Sequence, residues 1–86
     1  MSVTMYSTRF CPYCVAARRL LSDKGVDFED ISVDGDPELR RTMSERAGQR
    51  TVPQIWIGER HIGGFTDLAA LDSRGELDGL LAEARG

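Results

Sequence analysis

The chain has only two cysteines in 86 residues, Cys11 and Cys14. A small secreted fold stapled by disulfides needs several bridges between separated segments, so that class is set aside. A bond between these two sulfurs would close too short a loop to add much stability. There is no second cysteine pair, and His61 is the sole histidine, which gives three zinc ligands at best and argues against a structural zinc site. No apolar run approaches the ~20 residues of a membrane span. The start, Met1 to Tyr6, lacks the charged and apolar regions of a signal peptide. Lys24 is the sole lysine and the net charge is −3, so there is no overall basic field to hold nucleic acid. These absences predict a cytoplasmic protein in a reducing compartment, with neither membrane nor nucleic acid as partner.

The composition, 41% hydrophobic and 29% charged, is that of an ordinary globule, and the length suits one domain over residues 1–86. No repeat, linker or low-complexity segment interrupts it. The positive charge is unevenly spread: Arg9, Arg18, Arg19, Arg40, Arg41, Arg46 and Arg50 all fall in the first fifty residues. A locally positive site on an acidic protein suits a small anionic ligand.

Val3 to Ser7 alternates apolar and polar β-formers and reads as a strand. A helix then opens at the cysteines, with Pro12 in the first turn, where no N–H is required. Ala17, Leu20 and Leu21 form its buried stripe, and Arg18 and Arg19 are expected to face water. Gly25 stops it. Val26 to Val33 is the second strand, with a bulge or late start where its alternation breaks between Phe28 and Ile31. Asp36 as N-cap and Pro37 as first residue open a second helix, packed through Leu39, Met43 and Ala47 and closed by Gly48. Gln54 to Ile57 carries the unbroken run Ile55-Trp56-Ile57, which predicts a strand covered on both faces, with Trp56 in the core. Gly58-Glu59 turns a hairpin back through Arg60, His61 and Ile62, with His61 half-exposed. Gly63-Gly64 bends the chain into two short helices using Leu68 and Leu71, then Leu77, Leu80, Leu81 and Ala84. A right-handed crossover makes the first two strands parallel. The expected fold is thioredoxin-like α/β: a small four-stranded mixed sheet with helices on both faces.

Cys-x-x-Cys where a strand hands over to a helix reads as a dithiol redox site. Thiol–disulfide exchange needs a thiolate, and a free cysteine with pKa near 8.5 is mostly protonated at neutral pH. A helix N-terminus offers unpaired amides and a partial positive charge. Cys11 falls at about the N-cap, so the amides of Tyr13 and Cys14 are expected to point at its sulfur and lower its pKa, helped by Arg9. Cys14 faces inward and waits as a thiol. Cys11 then attacks, and Cys14 or a thiol from solution resolves.

Cys11-Pro12-Tyr13-Cys14, Thr51-Val52-Pro53-Gln54 and Gly63-Gly64-Phe65-Thr66-Asp67, at these separations, resemble the bacterial dithiol glutaredoxins. The resemblance runs from Val3 to about Leu81. It implies a glutathione-dependent disulfide oxidoreductase that uses both cysteines on protein disulfides and Cys11 alone on glutathione mixed disulfides. Pro12, Tyr13 and a cis Pro53 would support the cysteines. Val52 would pair strand-fashion with the cysteinyl part of glutathione. Gly64, Phe65, Thr66 and Asp67 would hold the γ-glutamyl end, with backbone amides on its carboxylate and Asp67 on its ammonium. Arg40 would hold the glycyl carboxylate. Thr8 stands where the family commonly has a lysine, and Arg9 is the nearest base. Tyr13 and Thr51 complete the expected glutathione site. The implied partners are glutathione as co-substrate and disulfide-bonded or glutathionylated proteins, ribonucleotide reductase among the candidates, with no tightly bound cofactor and a monomeric state. Two other readings stand beside this one: a redoxin reduced by a flavoprotein and feeding ribonucleotide reductase, and a glutathione-ligated iron–sulfur carrier, which Pro12 disfavours by stiffening the loop.

Overall fold

The computed structural model describes residues 2–85, leaving out the Arg85 side chain. Its elements run β1 (Val3–Ser7), α1 (Pro12–Asp23), β2 (Phe28–Ser32), α2 (Pro37–Ala47), β3 (Gln54–Ile57), β4 (Arg60–Gly63), α3 (Phe65–Ser73) and α4 (Leu77–Arg85). The four strands form one sheet in the order β2-β1-β3-β4. β1 runs parallel to β2 and antiparallel to β3, and β3 pairs antiparallel with β4. This is the mixed sheet that the sequence predicts.

Alternation along the strands sorts the core into two faces, as a period of two requires. Val3, Met5, Ile55 and Ile57 point to the side covered by Ala17 and Leu21 of α1, Leu68 and Leu71 of α3, and Leu77 and Leu81 of α4. Tyr6 and Trp56 point to the other side, where they meet Met43 of α2 together with Val33. Trp56 is core, as expected, with Tyr6 edge-on at 5.4 Å and the Arg46 guanidinium 4.8 Å from its ring centre.

β2 is shorter than the expected Val26 to Val33, and the reason lies at the end of α1. Gly25 takes a φ of +69° and turns the chain back on the helix. The Gly25 and Val26 amides then donate to the Ser22 and Leu21 carbonyls. Both bonds belong to a helix-closing motif, so Val26 is spent on the helix end and pairing starts only at Phe28. Arg18 also departs from expectation. It is half-buried rather than turned to water, paired with Asp30 of β2, and it donates to the Ser7 hydroxyl at the end of β1. The carboxylate of Asp30, on a neighbouring strand, supplies the partner that periodicity could not show.

Candidate active site

The strand-to-helix junction after β1 sets the cysteines apart. Cys11 is the N-cap of α1, in extended conformation, and its sulfur accepts the Cys14 amide hydrogen at 3.2 Å. Pro12 occupies the next position, where it has no N–H to lose. Of the two amides expected to point at this sulfur, the bond found is that of Cys14. On its other side the Cys11 thiol donates to the Val52 carbonyl at 3.6 Å. Cys11 is partly exposed, whereas Cys14 has no exposure at all.

Burial pushes the Cys14 thiol up to about 11, aided by its hydrogen bond to Cys11 and by the proximity of that second sulfur. A hydrogen bond from the Thr8 backbone and the charge of Arg18 pull the other way. Both sulfurs in turn favour the charged Arg18, after the larger effect of its bond to Asp30. A small polar cluster of Ser7, Arg18 and Asp30 therefore lies within electrostatic reach of both cysteines. Its members were not nominated from the sequence. The available signal was spacing, since Arg18 follows Cys14 by one helical turn and shares its face.

Beside Cys11 runs a groove of about 220 Å³ lined by Tyr13, Thr51, Val52, Pro53, Gly64, Phe65 and Thr66. Seven of the residues nominated from sequence, drawn from three separate motifs, thus line one concave surface. The Val52–Pro53 bond is cis. Tyr13 and Phe65 form one lip, their ring centres 6.5 Å apart, and Tyr13 is 61% exposed. Just before the lining residue Gly64, Gly63 has a φ of +116°, and a β-carbon there would lie 2.4 Å from Asp67 Oδ2. That carboxylate oxygen accepts the Gly64 amide hydrogen at 3.0 Å, fixing the start of α3. The first turn of α3 thus presents unpaired amides together with one carboxylate.

Three residues nominated for glutathione are not in this lining: Asp67, which borders it through Gly64, and Arg40 and Arg9. Arg40 lines a larger neighbouring cleft with Arg41 and Arg50, and its guanidinium donates to the Arg50 carbonyl at 3.4 Å. Arg9 is exposed, and its backbone amide donates to Asp34 at 2.6 Å. Among the described residues, no group of three His, Cys, Asp or Glu lies together as a metal site, and no helix is long and apolar enough to cross a membrane.

The family model for glutaredoxin matches residues 3–62. A glutaredoxin of Pseudomonas aeruginosa is 56% identical over 80 residues, covering 93% of this chain and 95% of that protein. Glutaredoxin 3 of Escherichia coli is 51% identical over 80 residues, covering 93% and 96%. Among solved structures, a buckwheat glutaredoxin–glutathione complex superposes with a TM-score of 0.89 at 28% identity, covering 95% of this chain and 77% of that one.

Proposed function

This chain belongs to the glutaredoxin family, and we propose that its glutathione-dependent thiol–disulfide exchange runs through Cys11 as attacking sulfur and Cys14 as resolving sulfur. The observation that carries this division is the contrast in setting. One sulfur caps a helix beside an open groove, and the other is sealed beneath it with its proton held to about pH 11.

In the first step the Cys11 thiolate attacks a sulfur of the substrate disulfide. A bond forms between them, the substrate S–S bond breaks, and the departing thiolate takes a proton from water. The Cys14 amide hydrogen is aimed at Cys11 Sγ, the attacking atom. Forming the mixed disulfide removes two of the effects that hold the Cys14 proton, the hydrogen bond to Cys11 and the repulsion between the sulfurs. Cys14 thus becomes more acidic when its turn comes. Its thiolate attacks Cys11, the substrate leaves as a second thiol, and the enzyme carries the Cys11–Cys14 disulfide. Two glutathione molecules return it to the dithiol and depart as oxidised glutathione, so two electrons pass in each cycle. On a glutathionylated protein, Cys11 takes the glutathione sulfur, the protein thiol leaves, and a second glutathione resolves without Cys14.

The groove supports glutathione as the bound molecule. The Val52 main chain lines the groove and suits strand-fashion pairing with its peptide once Cys11 gives up its proton, while the amides of α3 and the Asp67 carboxylate suit its γ-glutamyl charges. Arg40 and Arg9 are assigned to the glycyl carboxylate, and the proximity of Arg40 to Arg50, one residue before Thr51, supports the first of these. We place the protein in the cytoplasm as a monomer without a tightly bound cofactor, acting on disulfide-bonded and glutathionylated proteins. High identity to glutaredoxins over most of the chain disfavours a redoxin served by a flavoprotein.

The deciding experiment is Cys14→Ser assayed on both substrate kinds. Reduction of a protein disulfide should fall by about 100-fold or more, and removal of glutathione from a mixed disulfide should stay within about fivefold of wild type. Equal loss on both would overturn the assignment of roles.

A further inference from the structure

Val52 and Pro53 are seated by their side chains, Val52 against the Tyr6–Met43–Trp56 cluster and Pro53 fully buried, but the backbone around them has little to hold it. Among the described residues, Gln49 to Pro53 make no backbone–backbone hydrogen bond, and Gln49, Arg50 and Thr51 are exposed. Such a segment ordinarily samples many conformations. What ties it down is one buried side chain, Gln54, the first residue of β3, which has no exposure. Its amide nitrogen reaches the Thr51 carbonyl at 3.0 Å, the Gln49 side-chain oxygen at 3.1 Å and the Thr51 hydroxyl at 3.3 Å. The amide protons are committed to the loop, so its oxygen must accept from elsewhere. That donor is His61, whose Nε2 lies 2.7 Å from Gln54 Oε1. The chemistry therefore places a proton on Nε2 of His61.

The β4 strand brings His61 to this place. Its register against β3 shifts between Ile55 and Trp56, so that Trp56 faces His61 while Ile55 faces Gly63. The imidazole packs on the indole, ring centres 4.7 Å apart. Trp56, itself buried, thus fixes the ring that orients the glutamine, and the glutamine fixes the loop. The other hydrogen bonds to its backbone are weaker: Arg40 to the Arg50 carbonyl at 3.4 Å, and the Cys11 thiol to the Val52 carbonyl at 3.6 Å. The latter bond is lost whenever Cys11 gives up its proton, which is the moment the substrate must be aligned.

We infer that Gln54 and His61 form a clasp that holds the Thr51–Val52 segment in its substrate-receiving conformation, making them positioning residues for the exchange reaction although neither touches the sulfur. The inference rests on the reading of the groove as the place where glutathione pairs with Val52. It makes the order of that edge independent of Cys11's protonation, because the clasp contains no sulfur.

The test uses Gln54→Met, which keeps the side-chain length without the hydrogen bonds, and His61→Phe, which keeps an aromatic ring on Trp56 without the donor. In the free protein, the backbone amide order parameters of Thr51 and Val52 should fall from about 0.85 to below about 0.6 in Gln54→Met, with a smaller fall in His61→Phe. With a glutathione mixed disulfide as substrate, KM should rise about tenfold in Gln54→Met and about threefold in His61→Phe while kcat stays within about twofold. The double variant should match Gln54→Met alone, because both act through one path. His61→Gln, which keeps a side-chain N–H, should restore most of the loss. Unchanged order parameters at Thr51 and Val52, or independent effects that multiply in the double variant, would overturn the clasp. Lowered order parameters with an unmoved KM would leave the clasp standing and overturn the reading of the groove. His61 is half-exposed, so its variants keep the question open to measurement even where Gln54→Met folds poorly.

Discussion

Cys11 and Cys14 are separated by two residues, yet one sits at the mouth of a groove and the other is sealed beneath its floor. At the mouth, the chain offers a helix end capped by the Cys11 sulfur itself, the main chain of Val52 and the exposed ring of Tyr13. Beneath the floor, apolar packing excludes water, and the nearest charges belong to the Arg18–Asp30 pair. The same functional group thus meets two environments one helical turn apart, and the difference gives each sulfur its step. Desolvation disfavours charge at Cys14, whereas Cys11 is partly exposed and its sulfur accepts an amide hydrogen.

The most direct way to break this comparison is Cys11→Ser. If only the mouth can attack, turnover of both substrate kinds should drop by about 10³-fold or more, with Cys14 still present. Appreciable activity retained by Cys14 in a coupled reductase assay would show that the floor is open to substrate after all.

Next in size is the turn into α3 beside the mouth. Gly63→Ala puts a β-carbon against the Asp67 carboxylate at a φ of +116°, and must displace the group that caps α3. A loss on the order of 2 kcal/mol in urea unfolding is expected, with a raised KM for glutathione mixed disulfide. A neutral result would mean that the turn is softer than its geometry.

The floor has its own signature in pH. Cys14 holds its proton to about 11 in the folded chain against 9.0 for an ordinary thiol. Its contribution is therefore complete below pH 9 and is lost as pH climbs toward 11. Between pH 8 and pH 10.5 the reduced protein should lose about 2 kcal/mol more stability than Cys14→Ala. Parallel urea curves for the two proteins would show that burial does not govern this thiol.

The smallest expected effect sharpens the electrostatics. Arg18→Met removes a positive charge that pulls the Cys14 pKa down, so alkylation of Cys14 in a Cys11→Ser background should slow by less than about threefold. Stability should fall by about 1 kcal/mol or less, since the Arg18 and Asp30 side chains remain 32% and 31% exposed.

Much of this architecture was legible in the residues. Pro12 and Pro37 marked helix starts, Gly25 and Gly48 marked ends, and the run Ile55-Trp56-Ile57 marked a strand buried on both faces. The exceptions share a cause. Arg18 looked like a solvent residue because periodicity sees only one element, and its carboxylate partner comes from β2. Gln54 went unnominated, although a polar residue beginning a strand expected to be covered on both faces must find partners. His61 was read as an ordinary strand residue because its hydrogen bond depends on a register shift that no local pattern encodes.

The sequence by itself determined where the thiols stand on the chain, that a helix begins at them, and the elements that make the sheet. Those are matters of local propensity and spacing, and each is set within a few residues. Only the tertiary structure decided that Tyr13, Val52 and Gly64 line one groove, that Cys14 is dry enough to keep its proton to about pH 11, and that Gln54 holds the loop beside Cys11. Burial and convergence are properties of elements packed together, and a thiol's acidity follows from what surrounds it.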